Sequence, residues 1–190
     1  MRALAILALF AAPALAQEGR FSAGSEAQSW SLTGEEPARF EARVVDTLCE
    51  LTGDCPADCG GGARQLALLR AADGAIVPVL KNAQALFNGA VDDLLPYCGE
   101  TVEVDGNLVG DDAANPFKVY HLQRIRGPGD AEFLPANRWT DAWAARNPEA
   151  AGEEGPWFRN DRRVQALIAR DGHLGLGLEE DAAFKAYLFE

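Results

Sequence analysis

Four cysteines, Cys49, Cys55, Cys59 and Cys98, are the residues of this chain best suited to chemistry, spaced C-x5-C-x3-C with a distant fourth. Such thiols pair as disulfides, bind a metal as thiolates, or exchange as a reactive dithiol. As disulfides they allow three connectivities. As metal ligands, Cys49, Cys55, Cys59 and Cys98 would suit tetrahedral Zn²⁺ or Cu(I). Against that use, the spacing lacks the C-x2-C knuckle of structural zinc. The chain also carries no methionine after Met1 and just two histidines, His121 and His173. As a redox pair, Cys55 and Cys59 form C-P-A-D-C, one residue longer than C-x-x-C and with no helix behind it to lower a thiol pKa. No C-x-x-C-H occurs, which excludes the usual covalent c-type haem.

Other catalytic groups are sparse. His121 lies on an expected strand and His173 in the turn Asp171-Gly172-His173, and neither accompanies a G-x-S-x-G elbow or an H-E-x-x-H helix. Two histidines do not make a three-histidine zinc site. The acidic pairs Asp92-Asp93, Asp111-Asp112 and Glu179-Glu180 are adjacent in sequence, so their side chains diverge and read as solvated faces or helix N-terminal charge. No catalytic constellation emerges, which points to a binding or accessory module and not to an enzyme.

The N-terminus indicates the compartment. Arg2, the apolar run from Ala3 to Ala12 and Ala14-Leu15-Ala16 before Gln17 read as an export signal, residues 1–16, cleaved after Ala16. The run is too short to span a bilayer, and no later segment reaches the necessary length without charges. No cysteine follows the cleavage site to accept a lipid. Arginine outnumbers lysine and alanine is abundant, as in a bacterial gene of high GC content, so the expected location is the periplasm. In that oxidising space disulfides are the default for paired thiols, ahead of metal or redox use.

The expected mature chain loses one of the 17 basic residues and none of the 29 acidic ones, leaving a net charge of −13. Such a charge repels nucleic acid and anionic membrane. The expected partners are a periplasmic protein or a small ligand, with no nucleic acid, no membrane span and no cofactor unless the thiolates hold Zn or Cu.

Three zones position these residues. Residues 17–38 are mostly Ser, Gly, Glu and Gln, with Phe21 and Trp30 the only aromatics, and suggest a flexible N-terminal arm. In the second zone Phe40 to Cys49 reads as a strand. The Gly-, Pro- and Asp-dense segment from Glu50 to Gly62 reads as a loop. Arg64–Arg70 and Ala75–Leu80 flank Asp73-Gly74 as a hairpin, with Pro78 pushing its second arm toward an edge or bulge. Ala83 to Leu95 switches to a helical period through Leu86, Ala90 and Leu94 and is stopped by Pro96. Thr101–Val109 alternates as a strand, and after a loop through Pro116 so does Phe117–Arg126.

The order strand, strand, strand, helix, strand, strand is that of the OB-fold, a five-stranded Greek-key barrel. The segment YCGETVEVDGNLVG followed by VYHLQRIR resembles the closing strands of small exported bacterial OB-fold domains. The resemblance covers roughly half of the mature chain and implies a fold, residues 39–127, more than a function, since OB barrels host many ligands. In such a barrel the first and fourth strands pair antiparallel. That implies a Cys49–Cys98 bridge stapling the barrel and a local Cys55–Cys59 bridge.

Residues 128–190 read as a helical extension packed on the barrel. Asn137–Arg146 places Trp139 and Trp143 four apart, Asn160 or Asp161 could cap a helix running to Arg170 and ended by Gly172, and a last helix is suggested over Glu179–Phe189. Trp139, Trp143, Trp157 and Phe158 are either the glue of this extension or an aromatic platform for a sugar or a protein.

Overall fold

The computed structural model describes residues 20–81, 90–110 and 118–189. The expected export signal with its cleavage site after Ala16, the first part of the expected Ala83–Leu95 helix and most of the expected Gly110–Pro116 loop lie outside the described residues.

Five strands close into a barrel. They are β1 (Glu36–Asp46), β2 (Leu66–Arg70), β3 (Ile76–Leu80), β4 (Thr101–Val109) and β5 (Val119–Arg126), with the short helix α2 (Ala90–Leu94) ahead of β4. Strand β1 pairs antiparallel with both β2 and β4, β4 with β5, and a parallel β3–β5 ladder closes the ring. This is the expected OB-like order, and alternation explains it: Phe40, Ala42, Val44, Leu68, Val77, Val79, Val102, Val104, Tyr120 and Leu122 face one shared interior. At its centre the Tyr120 hydroxyl donates to the Ala38 carbonyl at 2.8 Å. Gly106 sits at a register shift between β4 and β5, where a Cβ would lie 2.2 Å from the His121 carbonyl oxygen, so the close approach of the strands requires glycine.

The cysteine pairing differs from that expected of the barrel. Cys49 bonds Cys55, Cys59 bonds Cys98, and no cysteine is free. The expected Cys49–Cys98 staple fails because β1 ends at Asp46, not at Cys49. The Asp46 carboxylate accepts the backbone N–H of Leu48 and Cys49 and caps a short helix, α1 (Thr47–Thr52), which carries Cys49 off the strand line. Gly53, left-handed at φ 78°, ends α1 and returns the chain so that Cys55 meets Cys49. Asp58, Cys59, Gly60 and Gly61 then all adopt left-handed φ within the 3₁₀ turn Ala57–Gly62. That backbone comes readily only to the glycines, and it tucks Cys59 into the core beside Leu95 and Cys98. The segment expected as a loop therefore holds two short helical turns.

The arm is tied down. Phe21 packs on Phe40 with ring centroids 5.6 Å apart, Ser25 and Glu26 bond the Asp105 carboxylate, and Gln28 exchanges hydrogen bonds with Gln123. Asp105 and Asn107 point outward from β4, and the arm lies over them, so both faces of this strand are buried.

Beyond β5 a two-residue strand, β6 (Leu134–Pro135), pairs with its far end. Then come α3 (Arg138–Arg146), α4 (Pro148–Ala151), α5 (Trp157–Asn160), α6 (Arg162–Asp171) and α7 (Leu178–Phe189). Asp161 caps α6 and Gly172 ends it, as the sequence implies. No helix among the described residues is long and apolar enough to cross a membrane.

Candidate functional site

The barrel wall has an interruption. Along one edge β5 pairs first with β3, through Tyr120 and His121, and later with β6, through Arg124 and Ile125. Pro78 has no N–H to give, and the β3–β5 ladder runs only through Val79 and Leu80 beyond it. Between the two ladders the Leu122 carbonyl accepts from the Lys81 ammonium at 3.4 Å, and the Gln123 carbonyl from the Ala136 N–H at 2.8 Å. A pocket of about 270 Å³ opens at this seam, walled by Trp30, Lys81, His121, Leu122, Gln123 and Ala136 among others.

Each wall is set by a different element. The Glu35 carboxylate gathers the Ser29 hydroxyl and the N–H groups of Trp30 and Leu32, folding residues 29–35 into a turn that presents Trp30. Burial works against that charge, yet these donors together with the Asn107 amide outweigh it and hold the Glu35 pKa down. The Trp30 ring meets the His121 ring edge-on, centroids 4.4 Å apart, while 54 % of the tryptophan stays exposed.

His121 is buried and sits directly across the β4–β5 ladder from Asn107. Its Nε2 lies 3.1 Å from the Lys81 carbonyl. A carbonyl only accepts, so Nε2 carries the proton and Nδ1 is a bare acceptor. Burial lowers the His121 pKa and keeps the ring neutral; the bond to the Lys81 carbonyl offsets this in part. Nδ1 has no hydrogen-bonding partner among the described residues, nor have Asn107 Oδ1 and Asp93 Oδ2. Burial also depresses the Lys81 pKa and raises that of Asp93, each moderated by the other's charge. The seam thus sets a desolvated ammonium near an imidazole nitrogen that is unmatched among the described residues, which is unusual for a buried group.

The chain was compared with known proteins. No family model, curated protein or solved structure matches it. The OB-like assignment therefore stands on strand order and pairing, and the site on its own geometry.

The residues singled out in the sequence fall elsewhere. All four cysteine sulfurs are engaged in disulfides, so none is held as a thiolate for metal, and the described residues contain no cluster of three His, Cys, Asp or Glu side chains able to hold one. Cys55 and Cys59 are not partners, and so do not form the dithiol their spacing suggested. The tryptophans meet: Trp157 packs against Trp139 at 4.4 Å, Trp143 at 5.9 Å and Phe158 at 5.9 Å. Trp143 is buried, its indole N–H donating to Asp161 at 2.6 Å, while Phe158 leaves 47 % of its surface open. This geometry is that of a small core gluing α3 to α5. The exposed apolar surface lies further on, at Leu176, Tyr187 and Phe189. Sequence reasoning missed Trp30, Lys81, Asp93 and Asn107, and the one usable signal was His121, a lone histidine inside an apolar strand.

Proposed function

We propose that this protein is a binding module of the bacterial periplasm, exported by a leader cleaved after Ala16, and that the seam pocket is its ligand site. The observation that carries the reading is His121: a buried, neutral imidazole whose Nδ1 acceptor has no partner among the described residues, at the wall of a pocket covered by a half-exposed tryptophan. Small-ligand sites combine an apolar lining with a few polar groups placed in this way. The two disulfides support an oxidising compartment, where they would hold the barrel rigid around the site.

The test is thermal unfolding against a panel of small polar solutes. A solute that binds the native state raises the midpoint in proportion to its saturation. At least one should raise the wild-type midpoint and lose that effect in Trp30→Ala. A panel without effect, or effects indifferent to Trp30, would overturn the reading.

A second reading, docking of a periplasmic protein on the extension, is favoured by the exposure of Tyr187 (83 %) and Phe189 (85 %).

A further inference from the structure

The donor and acceptor inventory of the seam narrows the ligand class, on the reading that the pocket is a ligand site. His121 Nδ1 can only accept, and the Lys81 ammonium can only donate. Lys81 gives one long hydrogen bond, to the Leu122 carbonyl, and no other among the described residues. A ligand carboxylate or phosphate would satisfy Lys81 but turn lone pairs on the imidazole, beside the buried Asp93 and under a strongly negative chain. A ligand ammonium would satisfy the imidazole but meet the Lys81 charge. A hydroxyl serves both, donating to Nδ1 and accepting from Nζ.

The remaining walls favour a ring. Gln28 and Gln123 hold each other through paired amide bonds of 2.7 and 2.8 Å, forming a fixed polar wall, and Pro135 and Ala136 supply an apolar one. The Trp30 indole offers a flat face for C–H groups. A volume of about 270 Å³ is at the small end for ligand pockets and suits one ring. Nδ1 is buried where the imidazole stands, so a ligand hydroxyl meets it only if the half-exposed Trp30 indole, edge-on to that ring, swings aside. We propose that the seam pocket binds a neutral, hydroxylated ring, a monosaccharide unit or a cyclic polyol, with Trp30 against its C–H face and a hydroxyl between His121 and Lys81.

The test uses probes of equal ring size on the full-length mature protein. Calorimetry compares methyl glucopyranoside, methyl galactopyranoside and myo-inositol with cyclohexylammonium and cyclohexanecarboxylate, and NMR follows the Trp30 indole N–H. At least one hydroxylated ring should bind saturably, roughly tenfold or more tighter than either charged ring, and move the Trp30 signal. Trp30→Ala should weaken that binding roughly tenfold. Lys81→Met, which keeps the stem and removes the charge, should weaken the neutral ring while tightening cyclohexylammonium, a change of selectivity that loss of stability does not produce. A charged ring binding best overturns the ligand class and leaves the pocket. If none of the five binds while the wider panel acts through Trp30, the class alone fails; if both are silent, the pocket fails too.

Discussion

The carboxylate of Asp93, on α2 of the barrel, accepts the backbone N–H of Arg138, the first residue of α3, at 3.0 Å. This bond fastens the helical extension to the barrel beside the seam. Asp93 is fully buried, and burial raises its pKa, so the folded state holds its proton more tightly than the unfolded chain. The sign follows: this group's contribution falls as pH rises from its unfolded value through its raised folded one. Asp93→Asn keeps the acceptor without the charge and should match or exceed wild-type stability at neutral pH. Asp93→Ala should cost about 1–3 kcal/mol. Denaturant titration of both variants checks the pair.

The disulfide topology makes an unequal prediction. Cys59–Cys98 links residues 39 apart and Cys49–Cys55 residues 6 apart. On chain entropy alone, removing the first by double serine substitution should cost about 4 kcal/mol and removing the second about 2 kcal/mol. Cleavage before Asp54 and Asp58 without reductant separates the cysteines, and mass spectrometry should find Cys49 linked to Cys55 and Cys59 to Cys98.

Acid should loosen the arm. Burial opposes ionisation of Asp105, but the Ser25 hydroxyl, Arg124 and the Glu26 N–H together overcome it and depress its pKa. A depressed carboxylate contributes stability that is present above its unfolded pKa and is lost as pH falls through the folded one. Amide protection of residues 25–30 should therefore drop only below the pH at which an ordinary aspartate titrates, and before the barrel unfolds. Asp105→Ala should show the same local loss at neutral pH.

Asp161 serves two elements, accepting the Trp143 indole N–H and capping α6 through the N–H groups of Arg163 and Val164. Asp161→Ala should destabilise the extension by about 2–4 kcal/mol, the sum of a lost cap and a buried indole left unpaired. Near-ultraviolet circular dichroism from the tryptophan cluster should weaken with it.

Replacing Tyr187 and Phe189 together by serine should leave stability within about 0.5 kcal/mol, because both rings face solvent. A larger loss in thermal unfolding would mean that α7 packs where it is here exposed.

The regular strands were legible because one face of each is apolar. Thr101–Val109 is recovered residue for residue from alternation, and the hairpin around Asp73-Gly74 to within two residues. The Asp161 cap and the Gly172 stop likewise located α6. Helix α1 was not legible, because six residues cannot display a period, and its capping by Asp46 is what redirected the disulfides. Asp105 and Asn107 read as the solvent side of β4, since alternation cannot say that an arm from residues 20–35 covers them. The seam pocket draws on Trp30, Lys81, His121 and Ala136, each unremarkable alone and joined only by closure of the barrel.

The site rests on one atom, His121 Nδ1, and ¹⁵N NMR of the two imidazoles in the ligand-free protein tests it most directly. His121 should remain neutral, with the proton on Nε2 and a bare Nδ1, at about pH 6.5, where an ordinary imidazole is half protonated. A charged ring at that pH, or a proton on Nδ1, would leave the pocket without its acceptor and contradict the account.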